Sequence, residues 1–124
     1  MIFGAGIDVI ELDRLRKIVG NDENEIITGT FTTSEIHLCR SHKDSAKLYA
    51  GLFAAKEAFL KALGTGLRYG ISWREIEISK SNKRFSITPS GKAAGRCAQN
   101  KIKNIYLSIR HSEEAATAVV ILEK

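Results

Sequence analysis

Four side chains in this 124-residue chain have the types needed to handle a phosphate together: Asp8, Glu57, Lys61 and His111. Glu57 and Lys61 stand four apart in L-F-A-A-K-E-A-F-L-K-A-L-G-T-G, Leu52 to Gly66, so on a helix they project from the same side. Two carboxylates, Asp8 and Glu57, can hold Mg²⁺ through hard oxygen ligands and leave positions for water and phosphate oxygens. A lysine beside them neutralises charge that builds on phosphoryl oxygens. Taken singly, each has a plainer use. Asp8 fits a helix cap worth about 1 kcal/mol, Glu57 with Lys61 fits a surface pair worth about 0.2–0.5 kcal/mol, and His111 fits a turn. Spacing alone does not bring Asp8 to Glu57.

The element that must carry this chemistry is the helix from about Ser45. Leu48, Leu52, Ala55, Phe59 and Leu63 recur at helical spacing, and Gly64-Thr65-Gly66 supplies the stop. Gly64 to Gly66 is not a P-loop, because it follows a helix and lacks the lysine-hydroxyl ending. Beside Glu57 and Lys61 lie only Ala50, Ala54 and Ala58, a small-residue face that leaves room for something to lie against it. Before this helix, Ile2 to Ile7 reads as a strand, with Gly4 and Gly6 weakening it or allowing close backbone approach. A helix follows over Glu11 to Val19, with Asp8 and Glu11 in a D-x-x-E capping arrangement. Asn21 to Thr30 reads as a loop with a short helical turn. Thr32 and Glu35 form a capping box that starts another short helix. After Gly66 the period changes: Glu75 to Ile78 alternates as a strand, Ser81 to Lys83 turns, and Arg84 to Thr88 returns. Thr88 as N-cap and Pro89 at the first helical position open a helix to about Asn100. Ile105 to Ile109 and Ala116 to Leu122 read as a hairpin with His111 near its mouth. Helices and strands mix without regular alternation, which predicts an α+β fold in which a long central helix packs on a short-stranded antiparallel sheet.

Length bounds the chain to a single domain over residues 1–124. Net charge is +5, dispersed rather than clustered, which favours an acidic partner or anionic ligand. Cys39 and Cys97 fit no ligand or disulfide pattern and suit thiols in a reducing cytoplasm. Met1 to Ile7 is too short and too soon charged for a signal peptide or a membrane span.

In order along the chain stand G-I-D-V-I-E-L-D-R-L at Gly6 to Leu15, F-T-T-S-E at Phe31 to Glu35, and F-A-A-K-E-A-F-L-K-A-L-G-T-G at Phe53 to Gly66. W-R-E-I-E-I at Trp73 to Ile78, S-G-K-A at Ser90 to Ala93 and S-I-R-H at Ser108 to His111 follow. This set resembles the small 4′-phosphopantetheinyl transferases, the bacterial holo-acyl-carrier-protein synthases, over nearly the whole chain. The resemblance implies Mg²⁺-dependent transfer of the phosphopantetheine arm of coenzyme A to a serine of apo acyl carrier protein, releasing 3′,5′-ADP, in cytoplasmic fatty acid biosynthesis. It implies Asp8 and Glu57 as the metal-binding carboxylates and Lys61 as the lysine near the pyrophosphate. Gly64, Thr65, Gly66, His111 and Ser112 fall where the family approaches the nucleotide. Arg14 matches a residue that meets the acidic helix of the carrier protein. A homotrimer with sites between subunits is also implied, which would keep the small-residue face of the central helix open. The serine proton would leave to Glu57 or to a metal-bound water.

Two positions depart from that family's pattern. Leu52 stands where an arginine is usual, and Arg110 where a small or hydroxyl residue is usual, so Arg110 is expected to replace part of the missing charge. Two other function classes fit the composition: an RNA-binding module, disfavoured by few aromatic residues and no binding-motif pattern, and a metal-dependent nuclease built on Asp8, Glu57 and Lys61. Salt-sensitive RNA binding or Mg²⁺-dependent nicking of DNA would mark these.

Overall fold

A computed structural model describes residues 1–20 and 24–124. The elements are β1 (Ile2–Glu11), α1 (Leu12–Val19), α2 (Glu25–Thr30), α3 (Thr33–Arg40), α4 (Ser45–Leu63), a 3₁₀ turn (Trp73–Glu75), β2 (Ile76–Ser81), β3 (Arg84–Pro89), α5 (Gly91–Gln99), β4 (Asn104–His111) and β5 (Ala115–Glu123). The antiparallel sheet β1-β5-β4 lies under α4, and β2 and β3 form a separate antiparallel hairpin. This is the α+β arrangement expected.

Alternation in the sheet decides what α4 meets. On β5, Ala116, Ala118, Val120 and Leu122 are buried, and Val119 between them is exposed. On β1, Gly4, Gly6, Asp8 and Ile10 share the α4 side, while Ile7 and Val9 face outward and are exposed. The glycines are there for closeness. A Cβ on Gly4 would run into the Ala62 carbonyl, and one on Gly6 into the Ala58 carbonyl. β1 therefore lies against the α4 backbone at a distance that only glycine on one side and alanine on the other permit. That overturns the open small-residue face: Ala50, Ala54 and Ala58 are fully buried within this chain, Ala58 directly under Gly6 of the sheet.

Other expectations hold with shifted boundaries. Thr32 and Glu35 make both bonds of the capping box, and Gly64 ends α4 in the left-handed conformation at φ 81°. The β2–β3 turn uses Asn82 and Lys83 at φ 50° and 65°, the mirror-image geometry that matches strand twist. Within Asn21 to Thr30 the helical turn is α2, capped by Asn24; residues 21–23 lie outside the described residues.

Two caps are corrected. Asp8 does not cap α1, because β1 continues to Glu11 under the full length of β5; the Leu12 N–H donates instead to the Glu114 carbonyl at 2.9 Å. Thr88 and Pro89 do not open α5 but close β3, Pro89 pairing with Ile76. The first turn of α5 is held by Glu75, whose carboxylate accepts from the Lys92 N–H at 3.1 Å.

One polar cluster sits in the interior. Lys56 and Glu35 are fully buried and paired at 2.9 Å. Lys56 Nζ also donates to the carbonyls of Trp73 at 2.9 Å and Ile76 at 2.6 Å, using all three hydrogens. Glu35 accepts from the N–H of Thr32 at 2.8 Å and of Ile78 at 2.7 Å. Every donor and acceptor is used, so the pair escapes the cost of an unsatisfied buried charge.

Gly6→Ala is expected to lower stability by about 1–3 kcal/mol through overpacking against α4. Gly29, in α2, has none of the described residues within 4 Å of its would-be Cβ, so Gly29→Ala is expected to leave stability unchanged or raise it by up to about 1 kcal/mol. Thermal unfolding of the two variants side by side measures the contrast.

Candidate active site

The β1–α4 contact brings three of the expected residues together. Asp8 Oδ1 accepts from Lys61 Nζ at 2.8 Å, and the same ammonium donates to the Ile7 carbonyl at 3.1 Å. Asp8 is largely buried, its side chain 10% exposed, while Lys61 reaches solvent. The Asp8 hydrogen bond is the largest influence holding the Lys61 ammonium charged above its ordinary range. Lys61 has spent two of its three hydrogens. The third is free for the cleft.

Glu57 lies near enough to Asp8 for the two carboxyls to act on each other. Burial first, then the neighbouring Asp8 carboxyl, push Glu57 up to about 7; Arg14 and Lys61 oppose this. Two acids in one half-buried site resist ionising together. Asp8 Oδ2 completes the picture. It is buried and, among the described residues, has no hydrogen-bond partner, and buried carboxylate oxygens are seldom left so. An orphaned hard acceptor beside a second carboxyl fits a divalent cation with oxygen ligands. Among the described residues no third acidic, histidine or cysteine side chain joins them, so such an ion would take its other ligands from water or substrate.

A cleft of about 290 Å³ opens against this group, lined by Glu57, Leu60, Lys61, Gly64, Gly66, Leu67 and Trp73. Gly64 and Gly66, at φ 81° and 57°, form its rim, and Arg68 fastens that rim by donating to the carbonyls of Thr65 at 2.8 Å and Gly64 at 2.9 Å. Thr65 is buried, and its hydroxyl donates to the Gly66 carbonyl at 2.9 Å. Arg14 is exposed on α1, 5.9 Å over the Phe53 ring, and close enough to act on Glu57.

His111 is not brought to this group within one chain. It closes β4 and packs on the other end of α4, where its ring meets Gly51, ten residues and about 15 Å along the helix from Lys61. Its Nε2 lies 3.0 Å from the Lys47 carbonyl. A carbonyl only accepts, so Nε2 carries the proton, and burial, the leading cause, lowers the ring below its ordinary range. Ser112 organises the β4–β5 turn, its hydroxyl accepting from the N–H of Glu114 at 3.3 Å and Ala115 at 3.1 Å.

Within one chain Leu52 and Arg110 lie apart from the Asp8 group. Leu52 is fully buried in the core. Ile109 and His111 face Gly51 of α4, so Arg110 between them points to the opposite side of the sheet, its guanidinium on the Ile109 carbonyl at 3.0 Å.

Sequence reasoning missed Trp73 and Leu67 as cleft walls, and Lys56 and Glu35 as the interior pair. A signal for Lys56 was present. It falls between Leu52 and Phe59 on the apolar stripe, where a lysine requires a buried partner.

Comparison with known proteins accords with this geometry. A sequence model of the 4′-phosphopantetheinyl transferase superfamily matches residues 4–120. The holo-[acyl-carrier-protein] synthase of Geotalea daltonii is 39% identical over 125 aligned positions, covering 100% of both chains. The crystal structure of the holo-[acyl-carrier-protein] synthase of Neisseria meningitidis superposes with a TM-score of 0.90 at 28% identity, covering 100% of both chains. That of Helicobacter pylori, in complex with coenzyme A, gives 0.83 at 34% identity, covering 96% of this chain and 99% of the other. The chain belongs to the 4′-phosphopantetheinyl transferase superfamily, whose members are transferase enzymes.

Proposed function

We propose that this chain is a holo-acyl-carrier-protein synthase that moves the 4′-phosphopantetheine arm of coenzyme A to a serine hydroxyl of apo acyl carrier protein and releases 3′,5′-ADP. The observation that carries the reading is the Asp8–Glu57–Lys61 group, with its orphaned Asp8 Oδ2, at the wall of a cleft in a chain of this superfamily. The modified carrier protein would serve fatty acid biosynthesis in the cytoplasm.

Asp8 Oδ2 and Glu57 are the groups that would hold Mg²⁺, which when bound neutralises charge on the pyrophosphate oxygens. The chain's own residues do the rest. Lys61, held by Asp8 and the Ile7 carbonyl, offers its free hydrogen to a phosphoryl oxygen of the transferred group. Gly64 to Gly66 let the coenzyme approach the backbone at the end of α4. The serine hydroxyl attacks the β-phosphate in line, the bond to the departing 3′,5′-ADP breaks, and the serine proton leaves to the Glu57 carboxylate or to a water beside it. Positioning and charge neutralisation carry most of such a transfer. Arg14, exposed on α1 beside the cleft, suits an acidic carrier protein, and the net charge of +5 would speed the encounter.

His111 and Ser112 can take part if a neighbouring subunit supplies them. The outward face of the sheet supports such an assembly: Ile7, Val9, Tyr106 and Val119 are exposed on it, and Ile7 pairs with Val119 across β1 and β5. An apolar sheet face of this kind is usually covered. A homotrimer joined there would let the His111 turn of one subunit reach the Asp8 group of the next.

Intact-mass measurement of apo acyl carrier protein with coenzyme A and Mg²⁺ tests the reaction: one phosphopantetheine is expected to be gained, and none with EDTA. Lack of transfer to a carrier protein that another transferase can modify would overturn the reading. Glu57→Gln is expected to lower kcat about 100-fold or more.

The raised Glu57 also predicts a pH dependence. Its folded pKa lies above the unfolded carboxyl value, so the folded state keeps a proton that the unfolded chain releases. Without divalent cation, stability falls as pH rises from about 4.5 to about 7. Melting curves should show this slope in wild type, a flatter one in Glu57→Gln, and recovery with Mg²⁺ at pH 7.5. Val9→Asp on the outward face is expected to turn a trimer into monomers in sedimentation and to abolish transfer.

A further inference from the structure

A charged pair fully inside a small domain rarely adds stability over apolar residues of the same volume. Lys56 and Glu35 must therefore be judged by what they hold in place. Lys56 is the residue next to Glu57 on α4, and its ammonium grips the Trp73 and Ile76 carbonyls. Among the described residues β2 pairs with β3 alone, along one edge. On its other edge the pair stands in for a strand, Lys56 donating to Ile76 and Glu35 accepting from Ile78. The Trp73 ring is fixed from a second side by Phe53, with centroids 5.1 Å apart. Phe53, Lys56, Glu57 and Leu60 are successive neighbours on α4. The helix that carries the site thus also fixes the opposite wall of the cleft, and does so through the backbone of Trp73.

We infer that the buried Lys56–Glu35 pair is a positioning device: it holds the Trp73 backbone so that the indole forms the apolar wall along which the coenzyme's pantetheine arm lies, and so sets affinity for the coenzyme. The inference rests on the transferase reading for its ligand and on the structure alone for its geometry. Lys56 touches no reacting atom in this scheme. It acts through Trp73.

Trp73 is the only tryptophan in the chain, so its emission reports this wall directly. Lys56→Met is expected to shift that emission to the red and to raise the KM for coenzyme A about tenfold, with kcat and the KM for carrier protein within about threefold. Trp73→Leu is expected to raise the coenzyme KM comparably, and the double variant Lys56→Met/Trp73→Leu to raise it no further, because both changes remove the same wall. Additive effects, or an unchanged emission spectrum and coenzyme KM in Lys56→Met, would overturn the inference; a pair that served only stability would lower the melting temperature without this KM pattern. If Lys56→Met does not fold, Lys56→Arg, which keeps the charge against Glu35 but not the compact ammonium, carries the same cycle. Absence of transfer by the wild type would sink the function reading, while the emission shift of the lysine variant would still decide the positioning.

Discussion

The backbone of β1 touches the backbone of α4, and the site exists because of that contact. Gly4 and Gly6 face the carbonyls of Ala62 and Ala58 with no room for a Cβ between them. At that separation the next residue on the same side of β1 is Asp8, which reaches Lys61 one turn from Glu57. A strand lying at ordinary sheet-to-helix distance, with larger side chains between, would leave the two carboxyls apart. The glycines and alanines are thus as much a part of the site as the acids they bring together.

Closeness has an electrostatic consequence. Asp8 and Glu57 share a half-buried site, so Glu57 is pushed toward neutrality, and one Asp8 oxygen remains buried without a partner among the described residues. Lys61 offsets part of the repulsion from the exposed side. A site left in this condition favours binding a cation and losing a proton together. The fold tolerates the strain because α4 is held firmly elsewhere, by its buried leucines and alanines and by the fully bonded Lys56–Glu35 pair.

Two polar features of α4 do opposite things. Lys61 lies at the surface, where a lysine can reach a ligand. Lys56, five residues earlier, is enclosed and spends all three hydrogens on the protein itself. Burial pulls Lys56 below its ordinary range while Glu35 pulls it back. The residue type is the same, and the side of the helix on which it falls decides between chemistry and architecture.

The periodicity of Leu48, Leu52, Ala55, Phe59 and Leu63, the Thr32–Glu35 box and the Gly64 stop are local, so α3 and α4 were legible from the chain alone. Asp8, Glu57 and Lys61 were legible as candidates, since their types and the four-residue spacing carry the chemistry. Their meeting was not. It depends on which way β1 faces, and a strand shows its inward side only once β5 has paired with it. For the same reason Asp8 read as a cap while it is a strand residue, and Ala50, Ala54 and Ala58 read as an open face while they are buried within the chain. Thr88-Pro89 read as a helix start because capping signals are local, but the cap came from Glu75, distant in sequence. Sequence by itself determined the residue types, the helix that carries two of them and the family. Tertiary structure decided the spacing of the carboxyls, the separation of His111 from them and the burial of Lys56, because each depends on contacts between segments distant in the chain.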